Sequence, residues 1–475
     1  MMSTGFVLIR TGFSCYRYAI TFSYEECMNR FLILLGLYVA VGTAISVIVF
    51  RARQTEEEYF VGGRMISGFV SSLTYASTTY SAFMMVGLVG LSFQTGIGAL
   101  VFEVSYLAGT ILLLSLYGKK IWKMGKQKGF VSPIELLTYR YGRSAGVFAS
   151  GIAIVALIPY TSSQVIALGL IFQSFGGFRF IYGVSFAAVV IILWTFIGGL
   201  RGVAITDAIQ GMFMVCAAFA GIVWTGSHYG GLELLRFPSD FWTPVRFVNF
   251  TLPWFFFALT NPQVVQRLFI PRNERSFNRM VFFFGLYGFI YTLIVTGIGF
   301  SARHGAVNGL FPVVQDRDRV IIEVLARMRP WLAISLALSI VFASVSTANS
   351  IILTLTSMVA RDIFRRRKKI VVGKSFILIL TGIVFLFSIF RPNYIVELAV
   401  SSSSILLCTL PLIFGVFHWK RGGPVTAVST LFAGAATAVA TRAFGVPLSS
   451  VYTFFVSFAM FFGVSMLEKS PRGRI

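Results

Sequence analysis

The sequence predicts an all-α polytopic membrane protein, on three observations. Its 475 residues are 56% hydrophobic and 12% charged, with a mean hydropathy of +0.82, far too apolar for a soluble globular chain. Its apolar stretches are long and continuous rather than alternating, and a backbone in hydrocarbon must satisfy its own hydrogen bonds, which such runs do as helices and not as barrel strands. Its basic residues collect between the runs on one side, as the positive-inside rule requires of a multi-pass chain.

Taken in order, apolar runs of about 18 residues or more fall at 31–50, 67–95, 98–118, 144–172, 179–199, 205–227, 247–269, 280–300, 331–360, 374–391, 395–418, 424–443 and 448–466. They predict 13 transmembrane helices. With the N-terminus outside, the inner loops hold 27 of the 40 Lys and Arg, so the expected orientation is N-terminus outside and C-terminus cytoplasmic in the plasma membrane. Residues 1–27 are then an extracellular segment without the small-residue cleavage signal of a signal peptide, 28–469 the membrane domain, and 470–475 a cytoplasmic tail.

The densest basic clusters, GKKIWKMGKQK at 118–128 and RDIFRRRKK at 361–369, follow helices that exit inward, where anionic lipid headgroups attract them. The bilayer, not nucleic acid, is the partner this charge implies. Cys15, Cys27, Cys216 and Cys408 are scattered and suggest neither a disulfide framework nor a metal cluster. His228, His304 and His418 sit near helix ends or in loops with no paired carboxylate at mid-depth, which speaks against an enzyme.

Polar residues inside a bundle are costly and mark a cavity or a partner. Four clusters stand out: TYASTTYS at 74–81, YTSSQ at 160–164, TNPQ at 260–263 and SVSTANS at 344–350. Taken singly, each is also compatible with helix packing, since Ser and Thr return their hydroxyls to the backbone and small residues allow close approach. The first goes further, because Ser77 to Ser81 are consecutive residues of poor helix propensity at the middle of a run. A discontinuous second helix is expected there. Its freed carbonyls suit a cation, and the N-terminus of its second half suits an anionic group. Sodium is a hard ion that prefers oxygen, so neutral carbonyls and hydroxyls bind it without burying a fixed charge. Ser346 and Thr347 offer hydroxyls, and Ala343 a carbonyl on the same helix face.

Several motifs, in order, resemble the sodium/solute symporter family, which includes bacterial proline permease and the sodium/galactose and sialic acid transporters. They are EEEYFVGGR at 56–64, FIGGLRGVAITDAIQG at 196–211, NPQVVQRLFIPRNE at 261–274, VSTANS at 345–350 followed by ARDIF, and LPLIFGVFHWKR at 410–421. The resemblance covers Phe31 to about Lys469. It implies a leucine-transporter-like fold of 5+5 inverted repeats, one at about 67–227 and the other at about 247–418, with alternating access to a midplane site.

Carried over by motif position, the resemblance implies a sodium ion held by the carbonyls of Ser77, Tyr80 and Ala343 and the hydroxyls of Ser346 and Thr347. A possible second sodium falls on Asp207, Asn349 and Ser350, although Asp207 also suits a helix start near the inner surface. The solute contacts fall on Thr79, Ser81, Tyr160, Gln164, Trp254, Phe257, Asn261 and Gln263. Thr79 stands where proline permease has an aspartate that matters for sodium coupling, so the solute does not transfer from that member. The apolar lining and the half-helix N-terminus favour a small carboxylate over a sugar. The expected activity is sodium-coupled import of a small organic solute by a functional monomer. A proton-coupled symporter and a non-transporting sensor are the alternatives.

Overall fold

The computed structural model describes residues 24–49, 55–175, 177–235, 237–364, 369–390 and 394–468. Among them the regular structure is helical, with one isolated bridge between Ile66 and Pro271. The expected extracellular segment up to Ser23 and the tail from Lys469 lie outside the described residues, as do Arg365 to Lys368 of the second basic cluster.

Ten described helices are long and apolar enough to cross a membrane, or eleven when the bent pair Gly68–Thr79 and Phe83–Thr95 counts as one span. Two features keep this below the thirteen runs. Residues Phe180–Tyr229 form one 50-residue helix, which if straight would measure about 75 Å against a hydrocarbon core of about 30 Å. It is interrupted at Gly199, with φ 53° and ψ −161°, where a Cβ would come within 2.8 Å of the Tyr59 carbonyl oxygen; a positive φ at such close approach suits glycine. The 247–269 run forms three short helices instead of one, Pro244–Phe255, Phe257–Thr260 and Pro262–Arg267; the last break falls at Asn261, which the following Pro262 biases toward extended backbone.

The helix Pro330–Met358 is the axis of the bundle. Almost its whole length is buried, against Phe180–Tyr229 and Arg143–Phe175, which is why a helix so rich in Ser, Thr and Ala is neither lipid-facing nor amphipathic. At the periphery, Tyr24–Val49 turns Ile33, Leu37 and Ile48 outward, as do the flanks of Lys369–Phe390, Pro424–Ala443 and Ser449–Leu467. The chain is therefore broken at two buried places, at Tyr80 to Ala82 within the bent pair and at Asn261 between two of the short helices.

Candidate functional site

The helix Gly68–Thr79 stops where its hydroxyl run makes helix propensity poor, and the chain resumes at Phe83–Leu88 after a 52° bend. A continuing helix would satisfy the Ser77 and Thr78 carbonyls with the amides of Ser81 and Ala82. Those amides turn elsewhere: Ser81 donates to the Thr79 carbonyl and Ala82 to Gln164 Oε1, 3.0 Å away. Ser81 Oγ accepts from the Phe83 amide at 3.1 Å, capping the second half. Gln164 is held by its own contacts with the Tyr160 carbonyl and Ser163.

The carbonyls so released meet the axial helix. Ser346 Oγ donates to Ser77 O at 2.8 Å and lies 3.2 Å from Ala343 O, while Thr347 Oγ1 lies 3.0 Å from Ser77 O and 3.2 Å from Thr78 O. Ser77, Thr78, Ala343, Ser346 and Thr347 are all fully buried. Five neutral oxygens from two spans thus gather within hydrogen-bonding reach of one another, a donor set of the kind a desolvated monovalent cation requires. The Thr78 carbonyl was not anticipated from the sequence. Tyr80 ends the first half with φ −84° and ψ 80°, its amide on Ala76 O and its ring stacked on Phe284. Thr79 returns its hydroxyl to Tyr75 O.

One turn further along the axial helix the chemistry changes. Asp207 is fully buried, not an exposed helix start, and lies within the Phe180–Tyr229 helix well past its interruption at Gly199. Its carboxylate is 3.7 Å from Arg267, equally buried, and accepts from Thr74 Oγ1 at 2.6 Å. Arg267 donates to Ser350 Oγ at 2.5 Å, and Ser350 Oγ is 3.0 Å from Thr78 Oγ1. Asp207 therefore already faces a cationic side chain. Asn349 is buried, and its Oδ1 has no protein partner among the described residues.

Of the expected solute residues, Ser81 and Asn261 stand in the two breaks and Gln164 contacts the first. Tyr160, Trp254 and Phe257 form one aromatic wall, with centroids 6.4 Å apart for Tyr160 with either partner and 5.0 Å for Trp254 with Phe257. Phe83 and Tyr106 extend it. Trp254 and Phe257 thus face inward, although a phenylalanine-rich stretch equally suits lipid. Asn261 sits in the second break, with φ −93° and ψ 112°, and is reached by Ser403 at 3.4 Å. Among the described residues, both ends of the Gln263 amide and the hydroxyls of Tyr160 and Tyr106 are buried with no protein hydrogen-bond partner. Such groups are expensive unless something fills their valence.

Besides Thr78, sequence reasoning missed Glu103 and Arg267. Glu103, on Ile97–Leu113, is buried and accepts from Trp254 Nε1 at 3.3 Å. The signal was an isolated carboxylate within the 98–118 run. Arg267 was passed over as part of a motif, though a lone arginine inside NPQVVQRLF calls for a buried counter-charge.

Known proteins match this chain in sequence and in fold. The model of the Sodium:solute symporter family matches residues 59–434. The sodium/pantothenate symporter of Haemophilus influenzae is 23% identical over 88% of this chain and 90% of its own length. The sodium/proline symporter of Escherichia coli is 21% identical over 87% and 88%. Among solved structures, a Na+-coupled sialic acid symporter in a substrate-bound outward-open state superposes with a TM-score of 0.79 at 17% identity, covering 95% of this chain and 99% of that one. A nucleobase-cation-symport-1 family transporter superposes at 0.59 with 11% identity, covering 86% and 95%. With the family model spanning most of its length, this chain belongs to the sodium:solute symporter family.

Proposed function

We propose that the protein imports a small organic solute together with sodium by alternating access, with thirteen spans, an outside N-terminus and a cytoplasmic C-terminus. The thirteen spans follow if Phe180–Tyr229 crosses twice, turning at Gly199, and the three short helices from Pro244 to Arg267 cross once. The two broken spans are then the first helices of the two inverted repeats.

The observation that carries this reading is the seating of Ser346 and Thr347 on carbonyls that the helix break releases. Sodium is the transported ion, held by the carbonyls of Ser77, Tyr80 and Ala343 and the hydroxyls of Ser346 and Thr347, with the Thr78 carbonyl as a further ligand. Bridging the broken helix to the axial helix, it favours the state that binds solute. One ion falling through 100 mV and a tenfold gradient releases about 3.7 kcal/mol, enough for a solute ratio of several hundredfold. A second sodium at Asp207, Asn349 and Ser350 has to share its carboxylate with Arg267, so one ion is the reading we adopt.

The solute binds between the breaks, against Ser81, Tyr160, Gln164, Trp254, Phe257, Asn261 and Gln263, with Thr79 at the margin. Glu103 refines the solute class. A buried carboxylate behind Trp254 is matched by N–H or O–H donors, so the solute carries such a donor besides any carboxylate of its own. Glu103 also supports the second reading, a proton-coupled symporter, because among the described residues it makes no ion pair. Uptake into vesicles under an imposed sodium gradient, compared with an imposed proton gradient, separates the two. Accumulation driven by sodium alone is expected, and accumulation driven only by protons overturns the proposal. Absence of uptake under either, with solute binding retained, supports the sensor instead.

A further inference from the structure

At the start of the helix Glu274–Val307, Arg275 and Arg279 stand one turn apart and exposed, with Asn278 beside them. Together with Glu274, Phe282 and Phe283 they form an open patch on one face of this helix. Glu274 is ion-paired with Lys119, whereas neither arginine makes an ion pair among the described residues. The neighbouring helix Gly68–Thr79 walls one side: a Cβ on Gly68 would lie 2.7 Å from Arg279 Cβ, and Phe69 meets Phe283 edge-on at 5.8 Å.

Above the arginines the same helix face is apolar and outward. Phe282 is 66% exposed, Leu286 49%, Phe289 51% and Leu293 43%, a stripe at three- and four-residue spacing in register with Arg275 and Arg279. From Phe282 to Leu293 it rises about 16 Å, the depth of one leaflet of a hydrocarbon core of about 30 Å. The basic helix Lys119–Lys128 lies alongside, through Trp122 Nε1 on the Pro271 carbonyl at 3.0 Å and Lys126 Nζ on the Arg272 carbonyl at 2.9 Å.

We propose that Arg275 and Arg279 hold the headgroup of an anionic phospholipid, whose acyl chain lies along the Phe282 to Leu293 stripe. Two guanidinium groups without acids suit a phosphodiester, and a basic pocket at one membrane face is the usual form of such a site. A free phosphate uses the charge but leaves the stripe unmatched; a phospholipid uses both. In the proposed orientation this is the cytoplasmic leaflet, at the foot of the broken helix.

The test is native mass spectrometry of the full chain released from nanodiscs of equal phosphatidylcholine and phosphatidylglycerol. Each arginine contributes about fivefold in affinity near a membrane surface, so R275Q/R279Q is expected to retain about thirtyfold less phosphatidylglycerol than wild type. K123Q/K126Q, with the same charge change on the adjacent helix, keeps it. Retention by the arginine variant, or equal loss in the lysine control, overturns the site. Displacement of phosphatidylglycerol by millimolar inorganic phosphate also overturns it, in favour of a soluble anion. If the double variant fails to fold, R275Q alone carries the test at about fivefold.

Discussion

Two buried polar regions lie one turn apart on the axial helix, and they solve the same physical problem oppositely. Around Ser346 and Thr347 the oxygens are neutral and come from two spans. Around Ser350 a full negative charge on Asp207 faces a full positive charge on Arg267. A neutral oxygen set gains by admitting a cation and tolerates its departure, since hydroxyls and carbonyls then bond each other. A fixed ion pair in hydrocarbon is self-compensating, and losing either member strands the other. The first arrangement suits a ligand that comes and goes, the second a structural clamp.

The sharpest way to break the comparison is to remove one member of the pair. D207N leaves Arg267 uncompensated inside the membrane and should cost about 3–5 kcal/mol, while D207N/R267Q should recover most of it. Thermal unfolding of the purified protein reads this. A single variant as stable as wild type would show that the pair is not a clamp.

The next effect separates the regions by their response to sodium. T347A removes one oxygen ligand, worth about 1.5–3 kcal/mol, and should raise the sodium concentration for half-maximal uptake tenfold or more. The rise in melting temperature on adding sodium should need at least tenfold more sodium in T347A and be unchanged in D207N/R267Q. The reverse pattern would move the ion to the charged region. E103Q tests whether a third buried polar group belongs with the solute. It should raise the solute KM about tenfold, or about 1.4 kcal/mol, while leaving sodium dependence unchanged.

At the membrane surface a charge is far less consequential. Glu468 accepts from the amides of Gly423, Val425 and Thr426 and from the Thr426 hydroxyl. Partial burial pushes its carboxyl up, but the Thr426 bonds and the two other amides pull it below the ordinary range. Its contribution is therefore fully present above the unfolded value of about 4.3 and is lost as pH falls through the lower folded value. Solvent screening limits it to less than about 1 kcal/mol. E468Q should lower stability across the neutral range by less than about 1 kcal/mol, remove that acid limb of the melting curve and leave stability below the folded value unchanged.

Family, helical class and the position of the first break were legible in the residues themselves. Hydropathy runs report burial in lipid, and a run of hydroxyl and β-branched residues reports weak helix propensity, because both are local properties of consecutive side chains. Ser346 and Thr347 were legible for the same reason, standing within a short motif at one helical spacing. What tertiary structure alone decided is pairing: that Asp207 meets Arg267 across 60 positions of sequence, that Glu103 lies behind Trp254, and that Gln164 takes the amide which frees the Thr78 carbonyl. Partners from distant spans leave no local periodicity. A charge buried in hydrocarbon shows only that a compensating group must exist, and the packing of the helices chooses which one.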